Sequence, residues 1–300
     1  MFDGIDELVL PVASLDEPLH LYRDLMGFTL ASRHPASPHL AELWDLPAAV
    51  TEEVLLTKPG ASGGALRLAL TPGLPPADPA GRPDRAGPYA LDFYLRDAAA
   101  VEDRCTTAGR RFVTEAVHYE LPGTTIPVRE RMLIQDDSGL LHAFVQHRPR
   151  GTRCVLDQAP AEDISEVAAA VFMTDRFEDA RAFAREILGG QEYFVGRFDG
   201  PGVEAMLALD PGEGFIGALY RGATSANARL EFGEAITSER SPDPVHRVIA
   251  RVAVDDLDRV EAQLAGGVHG RVTGRHVVDG VSRLGLVSAY GAVFDLHQRR

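Results

Sequence analysis

One acid–arginine combination in the first quarter of the chain could carry chemistry. Glu7 stands in an apolar run over residues 5–12, and Arg67 alternates with leucines over residues 65–70. Because side chains of a strand point alternately to its two faces, both residues are predicted to share the face opposite the leucines. There Glu7 could act as a general base, and Arg67 could stabilise oxyanion charge or clamp a polar group. A purely structural ion pair is the alternative.

Five further residues are candidates for ligand binding. Arg251 and Asp295 form a second possible ion pair near the end of the chain, with the same two readings. Asp92 and Tyr94 occupy alternate positions of another predicted strand and could orient a ligand, or could simply pair with Arg129 or Arg131 on a neighbouring strand. Trp44, the only tryptophan, lies in an irregular segment, where it could stack on a planar ligand or pack in the core.

The elements that position these residues are repeated along the chain. Gly27 and Gly189 each end a helical pattern and stand 162 positions apart (189 minus 27). The motif DAAAVE at residues 97–102 reappears as DLDRVE at residues 256–261. Repeats of this kind indicate a duplicated supersecondary unit. Hydrophobic periodicity and turn signals predict four units of the pattern βαβββ, at residues 5–72, 89–147, 164–220 and 245–298. Segments rich in proline, glycine and polar residues at 73–88 and 221–244 are predicted linkers.

Three of these motifs resemble a known superfamily. They are Leu10-x-Val12, the helix end Leu21-Tyr22-x-x-Leu25-Met26-Gly27-Phe28, and the turn Asp136-Asp137-Ser138-Gly139. The chain resembles the vicinal oxygen chelate superfamily, which includes glyoxalase I, bleomycin-resistance proteins and extradiol dioxygenases. The resemblance implies an α+β fold in which four βαβββ modules form two cup-shaped half-barrels with helices on the convex faces.

The domain organisation follows from the same resemblance. We expect a first domain over residues 1–150 and a second over residues 151–300. The cups could close between modules adjacent in sequence, or the modules could pair across the chain. The sequence does not choose between these arrangements.

The resemblance also bears on metal binding. Metal-binding members carry their ligands on the first and last strands of each module. The positions that match here are Glu7, Arg67, Ala90, Ala143, Ala169, Gly217, Ile249 and Asp295. A metal site needs roughly three or more O, N or S ligands, and neither half offers more than one carboxylate. We therefore predict no metal and no other cofactor.

Two classes of function remain. The first is a metal-independent binding protein that sequesters a bulky, aromatic or natural-product-like compound. The second is a metal-independent isomerase, lyase or cyclase that uses a pocket carboxylate as general base. A metal-dependent glyoxalase or dioxygenase is a weaker third reading, because the ligand positions are mostly filled by other residues. The sequence leaves open whether the protein is an enzyme. The first half is expected to hold the functional site, because more charged residues are predicted to face its cup.

Composition restricts the partners. The net charge of −14 disfavours nucleic-acid binding, which relies on arginine and lysine at phosphates. No apolar run approaches the ~20 residues of a membrane-spanning helix, and the first residues do not resemble a secretory signal. We expect a cytoplasmic protein, a monomer or a homodimer, whose partner is a small organic molecule.

Overall fold

The computed structural model describes residues 2–74, 86–135, 140–148, 154–222, 228–236 and 248–298. Within them the chain forms four modules, each with a first strand, a helix and further strands. This confirms the predicted α+β class with four βαβββ modules. The predicted turn at residues 136–139 and most of a predicted linker at residues 73–88 lie outside the described residues.

The elements are as follows. The first module has β1 (Glu7–Val12), α1 (Asp16–Leu19) continued by a π-helical turn (His20–Leu25), β2 (Thr29–Pro35), α2 (Leu40–Leu43), β3 (Glu52–Thr57) and β4 (Ala65–Leu70). The second has β5 (Gly87–Leu95), α3 (Ala98–Thr107), β6 (Arg111–Phe112), β7 (Val117–Glu120), β8 (Pro127–Ile134) and β9 (Leu141–His147), followed by a 3-10 turn (Val155–Asp157).

The second half repeats this order. The third module has β10 (Ile164–Met173), α4 (Phe177–Phe183) continued by a π-helical turn (Ala184–Leu188), β11 (Gln191–Asp199), α5 (Pro201–Leu207), β12 (Gly214–Arg221) and β13 (Arg229–Ile236). The fourth has β14 (Ile249–Val254), α6 (Leu257–Leu264), β15 (Gly270–Val278), β16 (Val281–Ser288) and β17 (Val293–Gln298).

The repeated sequence motifs encode helix ends. Asp97 caps α3, and its carboxylate accepts a hydrogen bond from the amide of Ala100. Asp256 caps α6 in the same way. Such caps satisfy amide groups that the helix itself leaves unpaired. Gly27 and Gly189 adopt φ angles of +73° and +78° directly after the helical segments of modules one and three, a left-handed conformation that glycine adopts without strain.

Hydrogen bonding joins modules across the chain. β1 runs antiparallel to β14, which joins the first module to the fourth in an eight-stranded sheet of order β15-β16-β17-β14-β1-β4-β3-β2. β10 runs antiparallel to β5, which joins the second module to the third in a nine-stranded sheet of order β11-β12-β13-β10-β5-β9-β8-β6. The boundary predicted at residue 150 therefore does not separate the sheets, since each sheet takes one module from each half.

The third module is longer than the sequence indicates. Its last strand is β13, whereas the predicted module ends at residue 220 and is followed by a predicted linker over residues 221–244. β13 pairs in parallel with β10, as β4 pairs with β1. Its charged residues Arg229 and Glu231 give the segment a polar composition because they face a cavity and not the core.

The two faces of each sheet have different roles. Leu8, Leu66 and Phe172 point to the helices and share one large hydrophobic core with them. Val9 and Ala69 point to the opposite face and belong to a separate cluster, which confirms the predicted alternation. We call these opposite faces the eight-stranded cup and the nine-stranded cup. None of the helices in the described residues is long and apolar enough to span a membrane.

Candidate functional site

The eight-stranded cup contains a closed network of charges. Arg67 donates to Glu7 at 2.7 Å and to Glu53 at 3.2 Å, and Arg251 also donates to Glu7, at 3.2 Å. Deeper in the cup Arg283 donates to Asp295 through two nitrogens, with the Nε bond at 2.9 Å. Three carboxylates thus lie among three guanidinium groups, and the network is close to neutral.

Trp44 fills the space beside this network. Its side chain is fully buried among Val9, Ala69 and Ile249, and its indole N–H donates to Asp295 at 3.0 Å. The preceding helix α2 can lie on the sheet because position 285 of β16 is glycine, where a Cβ atom would come within 2.1 Å of the Leu43 carbonyl oxygen. The tryptophan is therefore part of the packing of this cup.

The same network bears on metal binding. Glu7 and Asp295 occupy two of the positions that the family resemblance assigns to metal ligands, and guanidinium groups already engage both carboxylates. Burial opposes ionisation of Glu7, but the hydrogen bond from Arg67 and the charge of Arg251 lower its pKa to about 2. This donor set does not fit a metal ion. Among the described residues no three His, Cys, Asp or Glu side chains are placed to hold one.

The nine-stranded cup, in contrast, contains a cavity of about 250 Å³. Aliphatic residues from five strands and α5 contribute to its lining, among them Ala90, Val128, Met132, Val171, Leu219 and Met206. Aromatic rings contribute much of the rest, including Tyr94, Tyr119, Tyr193, Phe194, Phe198 and Phe215. Phe198 and Phe215 stack with their ring centroids 4.6 Å apart. The cavity thus combines aromatic surface with small side chains that leave room.

Three carboxyl groups and one guanidinium face this cavity. Glu130 accepts a short hydrogen bond from Tyr119. Arg229 donates to the Tyr193 hydroxyl at 2.7 Å and to a backbone carbonyl, and its guanidinium lies 5.3 Å from the centre of the Tyr94 ring. Asp92 and Glu231 receive no hydrogen bond from any described side chain, and neither lies within ion-pair distance of Arg229. The cavity therefore presents two carboxyl groups to which no described side chain donates a hydrogen bond.

Burial shifts the titration of these acids. It raises the pKa of Asp92 to about 6, although the charge of Arg229 opposes this. Burial and then the charge of Asp92 raise the pKa of Glu130 to about 8, against the hydrogen bond from Tyr119. The same two causes hold the pKa of Glu231 well above its usual range. Near neutral pH the cavity therefore combines an ionised Asp92 with carboxylic acids that can still donate protons.

Removing the Glu130 carboxyl should flatten the pH dependence of stability. Between about pH 4.5, its ordinary pKa, and about pH 8, the folded carboxyl keeps a proton that the unfolded chain has released. The free energy of unfolding therefore falls as pH rises through this window. We expect Glu130→Gln to raise it by about 1–3 kcal/mol at about pH 8.5, with the difference shrinking towards about pH 5.

Urea unfolding at several pH values measures this effect. The exposed residue Glu120 on β7 offers a matched control, since Glu120→Gln should follow the wild-type pH profile. An unchanged slope in Glu130→Gln would show that Glu130 titrates normally in the folded protein.

Strand register relates the two cups position by position. In the eight-stranded sheet Glu7 pairs with Arg251, and in the nine-stranded sheet Ala169 pairs with Asp92 at the equivalent crossing. Neighbouring strands extend this equivalence through their own registers. The counterparts of Arg67, Arg251 and Arg283 are Glu231, Asp92 and Glu130. The counterparts of Glu7, Glu53 and Asp295 are Ala169, Gly217 and Ala143.

The nine-stranded cup thus has acids where the eight-stranded cup has arginines. It has alanine or glycine where the eight-stranded cup has acids. Gly217 is needed for this arrangement, because a Cβ atom there would lie 2.5 Å from a carboxylate oxygen of Glu231. Helix α2 with Trp44, which fills the eight-stranded cup, has α5 as its counterpart in the nine-stranded cup. Asp45 and Ala208 follow α2 and α5 with φ angles of 51° and 52°, so Leu207 corresponds to Trp44 and leaves space that the indole would occupy.

The predicted site residues fall into both cups. Glu7, Arg67, Arg251, Asp295 and Trp44 share the eight-stranded cup, where they contact one another. Asp92 and Tyr94 line the cavity of the nine-stranded cup. Glu7 and Asp92 therefore lie in different cups, because the modules pair across the chain, which is one of the two arrangements that the sequence left open.

Sequence reasoning missed three charged residues of the cavity. These are Glu130, Arg229 and Glu231. The last two lie on β13, which the sequence assigned to a linker, so the position expected on the last strand of module three was placed at Gly217 on β12. A usable signal was present, since the segment around Leu230 and Phe232 alternates polar and apolar residues as residues 65–70 do.

Comparison with known proteins agrees with this architecture. A family model described as Glyoxalase/Bleomycin resistance protein/Dioxygenase superfamily matches residues 4–144. Glyoxalase I from Zea mays is similar in structure, with a TM-score of 0.66 and 13% identity over 98% of this chain and 92% of that one. A putative dioxygenase from Bacillus subtilis is also similar, with a TM-score of 0.63 and 13% identity over 99% of this chain and 85% of that one. These identities establish similarity of fold alone.

A search of curated proteins finds no match. The family model covers the first module and most of the second, and the structural similarity extends over the second half as well. Residues 4–144 thus match the glyoxalase/bleomycin-resistance/dioxygenase superfamily model, and the chain as a whole shares the fold of glyoxalase I.

Proposed function

We propose that the protein binds and sequesters a small organic molecule in the nine-stranded cup, without using a metal. The observation that carries this proposal is the cavity of about 250 Å³ with its aromatic and aliphatic lining and few polar groups. Small-molecule sites typically have this composition. Asp92 and Tyr94 would contact the ligand, whereas Glu7, Arg67, Arg251, Asp295 and Trp44 would stabilise the other cup.

Filling the cavity should abolish binding. Prodan, an uncharged solvatochromic dye with a naphthalene ring, is a suitable probe because its emission shifts to the blue in an apolar site. We expect saturable, one-to-one binding to the wild-type protein and at least about tenfold weaker binding to Ala90→Trp, since the indole would occupy the cavity. Fluorescence titration measures both affinities.

The exposed Ala262 on α6 provides a matched control, so Ala262→Trp should bind prodan like the wild type. Circular dichroism checks that Ala90→Trp folds, and Leu219→Trp tests the same cavity from another strand. Binding that persists in both cavity variants would place the ligand elsewhere. Treatment with a chelator should leave prodan binding unchanged, and a loss of binding would contradict metal independence.

A second candidate function is a metal-independent isomerase, lyase or cyclase. The observation that favours it is the separation of acid strengths within one cavity. The pKa of Asp92 is raised to about 6 and that of Glu130 to about 8. At neutral pH Asp92 could accept a proton while Glu130 donates one, an arrangement suited to general acid–base chemistry.

Mass spectrometry of a compound that co-purifies with the protein separates the two candidates. A sequestering protein returns the compound unchanged after prolonged incubation. An enzyme converts it, and Asp92→Asn should then stop conversion while the compound still binds. Conversion that is equally fast in Asp92→Asn would remove Asp92 as the base.

A further inference from the structure

The nine-stranded cup has an excess of acidic groups over basic ones. Asp92, Glu130 and Glu231 face the cavity together with a single guanidinium, that of Arg229. Arg229 donates hydrogen bonds to Tyr193 and to a backbone carbonyl and also contacts Tyr94, and among the described residues no ion-pair contact joins it to the three acids. Two of the carboxyl groups, Asp92 and Glu231, receive no hydrogen bond from the described side chains. Buried carboxyl groups normally have a hydrogen-bond partner, and the residues that the structure describes around this site donate none to these two.

The eight-stranded cup shows which groups pair with buried carboxyl groups in this fold. There each acid contacts a guanidinium, and three arginines balance three acids. In the nine-stranded cup, acids occupy the positions of these three arginines. The positions of the three acids of the eight-stranded cup are occupied by Ala169, Gly217 and Ala143. The exchange leaves carboxyl groups around an empty volume, with small residues where their protein partners would otherwise stand.

The aromatic lining fits the same type of ligand. Tyr94, Tyr119 and Tyr193 lie beside the acids, and Tyr94 already carries the Arg229 guanidinium over its ring. Aromatic faces attract cations electrostatically, most strongly where water is excluded. Carboxyl groups combined with aromatic faces therefore recognise a positive charge, and the stacked Phe198 and Phe215 add surface for an apolar body.

We propose that the ligand of the nine-stranded cup is an organic cation, a protonated amine attached to an aromatic or similarly apolar body. This inference rests on the proposed function as a binding protein and adds the charge class of the ligand. Asp92 and Glu231 receive the ammonium group, and the aromatic rings enclose the rest of the molecule. Glu130, held by Tyr119, faces the same cavity.

A matched series of indoles tests the proposal. Tryptamine, tryptophol and indole-3-acetate share one ring system and differ in a positive, neutral or negative end group. Calorimetric titration of the wild-type protein at about pH 8 should show tryptamine binding at least about tenfold tighter than tryptophol, and indole-3-acetate binding more weakly than both. In the double variant Asp92→Asn/Glu231→Gln the advantage of tryptamine should disappear while tryptophol affinity is retained.

The outcomes separate this inference from the proposed function. If tryptophol or indole-3-acetate binds as well as tryptamine, and Ala90→Trp abolishes that binding, the cavity is a ligand site but its ligand is not a cation. If tryptamine does not bind, the inference is overturned, because tryptamine carries both the ammonium group and the aromatic ring of the proposed ligand. Prodan binding in the same preparation then decides the proposed function independently.

Discussion

Trp44→Ala is expected to lower the free energy of unfolding by about 3–5 kcal/mol, the range found when a large buried aromatic side chain is removed. The indole is fully buried among residues of both the first and fourth modules, and its N–H bonds to Asp295. Its removal leaves a cavity in the eight-stranded cup and a buried carboxylate with one donor fewer. Denaturant unfolding of the two proteins measures the difference.

Trp44→Phe is the matched variant for this prediction. It keeps a ring in the cup but loses the hydrogen bond, so it should destabilise the protein less than alanine does. Prodan binding should survive in both variants, because the nine-stranded cup is untouched. A change below about 1 kcal/mol in Trp44→Ala, together with weakened ligand binding, would show that Trp44 serves a ligand and not the packing of this cup.

Asp295→Asn is expected to be similarly destabilising, by about 3–5 kcal/mol, because it breaks a buried ion pair. Asp295 is inaccessible to solvent, and the Arg283 side chain is only 2% exposed. The substitution keeps the shape of the side chain but leaves the guanidinium charge of Arg283 buried without its counter-ion. The cost arises mainly from this uncompensated charge.

The exposed pair of Asp258 and Arg275 gives the control. Asp258 is 81% exposed, so Asp258→Asn should cost no more than about 1 kcal/mol. Urea unfolding at one pH and ionic strength compares the two variants. Equal effects would mean that the charges of the eight-stranded cup are solvated and that this cup is open.

Local features of the fold could be predicted from the sequence. Asp97 and Asp256 cap helices, Gly27 and Gly189 end them, and the alternation of residues 65–70 assigned the two faces of β4 correctly. His142 also lies on the helix-facing side as its alternation with Ala143 predicts. Its imidazole stacks on Phe93 and its Nε2 atom lies 2.8 Å from the Tyr22 hydroxyl oxygen. Each of these features is set by neighbours along the chain.

The pairing of modules could not be predicted in this way. The first strand of every module is largely buried on both faces, so β1 can in principle pair with either β5 or β14 while its own pattern stays satisfied. Long-range packing makes that choice. Because β5 pairs with β10, Asp92 and Glu130 of module two lie with Glu231 of module three and apart from Glu7, so the candidate residues are divided between two cups.

The two cups illustrate how one duplicated fold can give two different interiors. In the eight-stranded cup, Trp44 and a network of three arginines and three acids fill the space. In the nine-stranded cup, Leu207, alanine and glycine at equivalent positions leave it open. We expect ligands to enter only the nine-stranded cup. The protein offers a separate reporter for each cup, because Trp44 is its single tryptophan and Met132 and Met206 line the cavity.

Nuclear magnetic resonance on protein labelled at methionine methyl groups and at the tryptophan indole nitrogen, titrated with tryptamine, tests this claim most directly. We predict that the Met132 and Met206 methyl signals shift with saturation, while the Trp44 indole signal and the Met26 methyl signal in the helix-facing core stay in place. A saturable shift of the Trp44 indole signal with unchanged Met132 and Met206 signals would contradict the account and place the site in the eight-stranded cup.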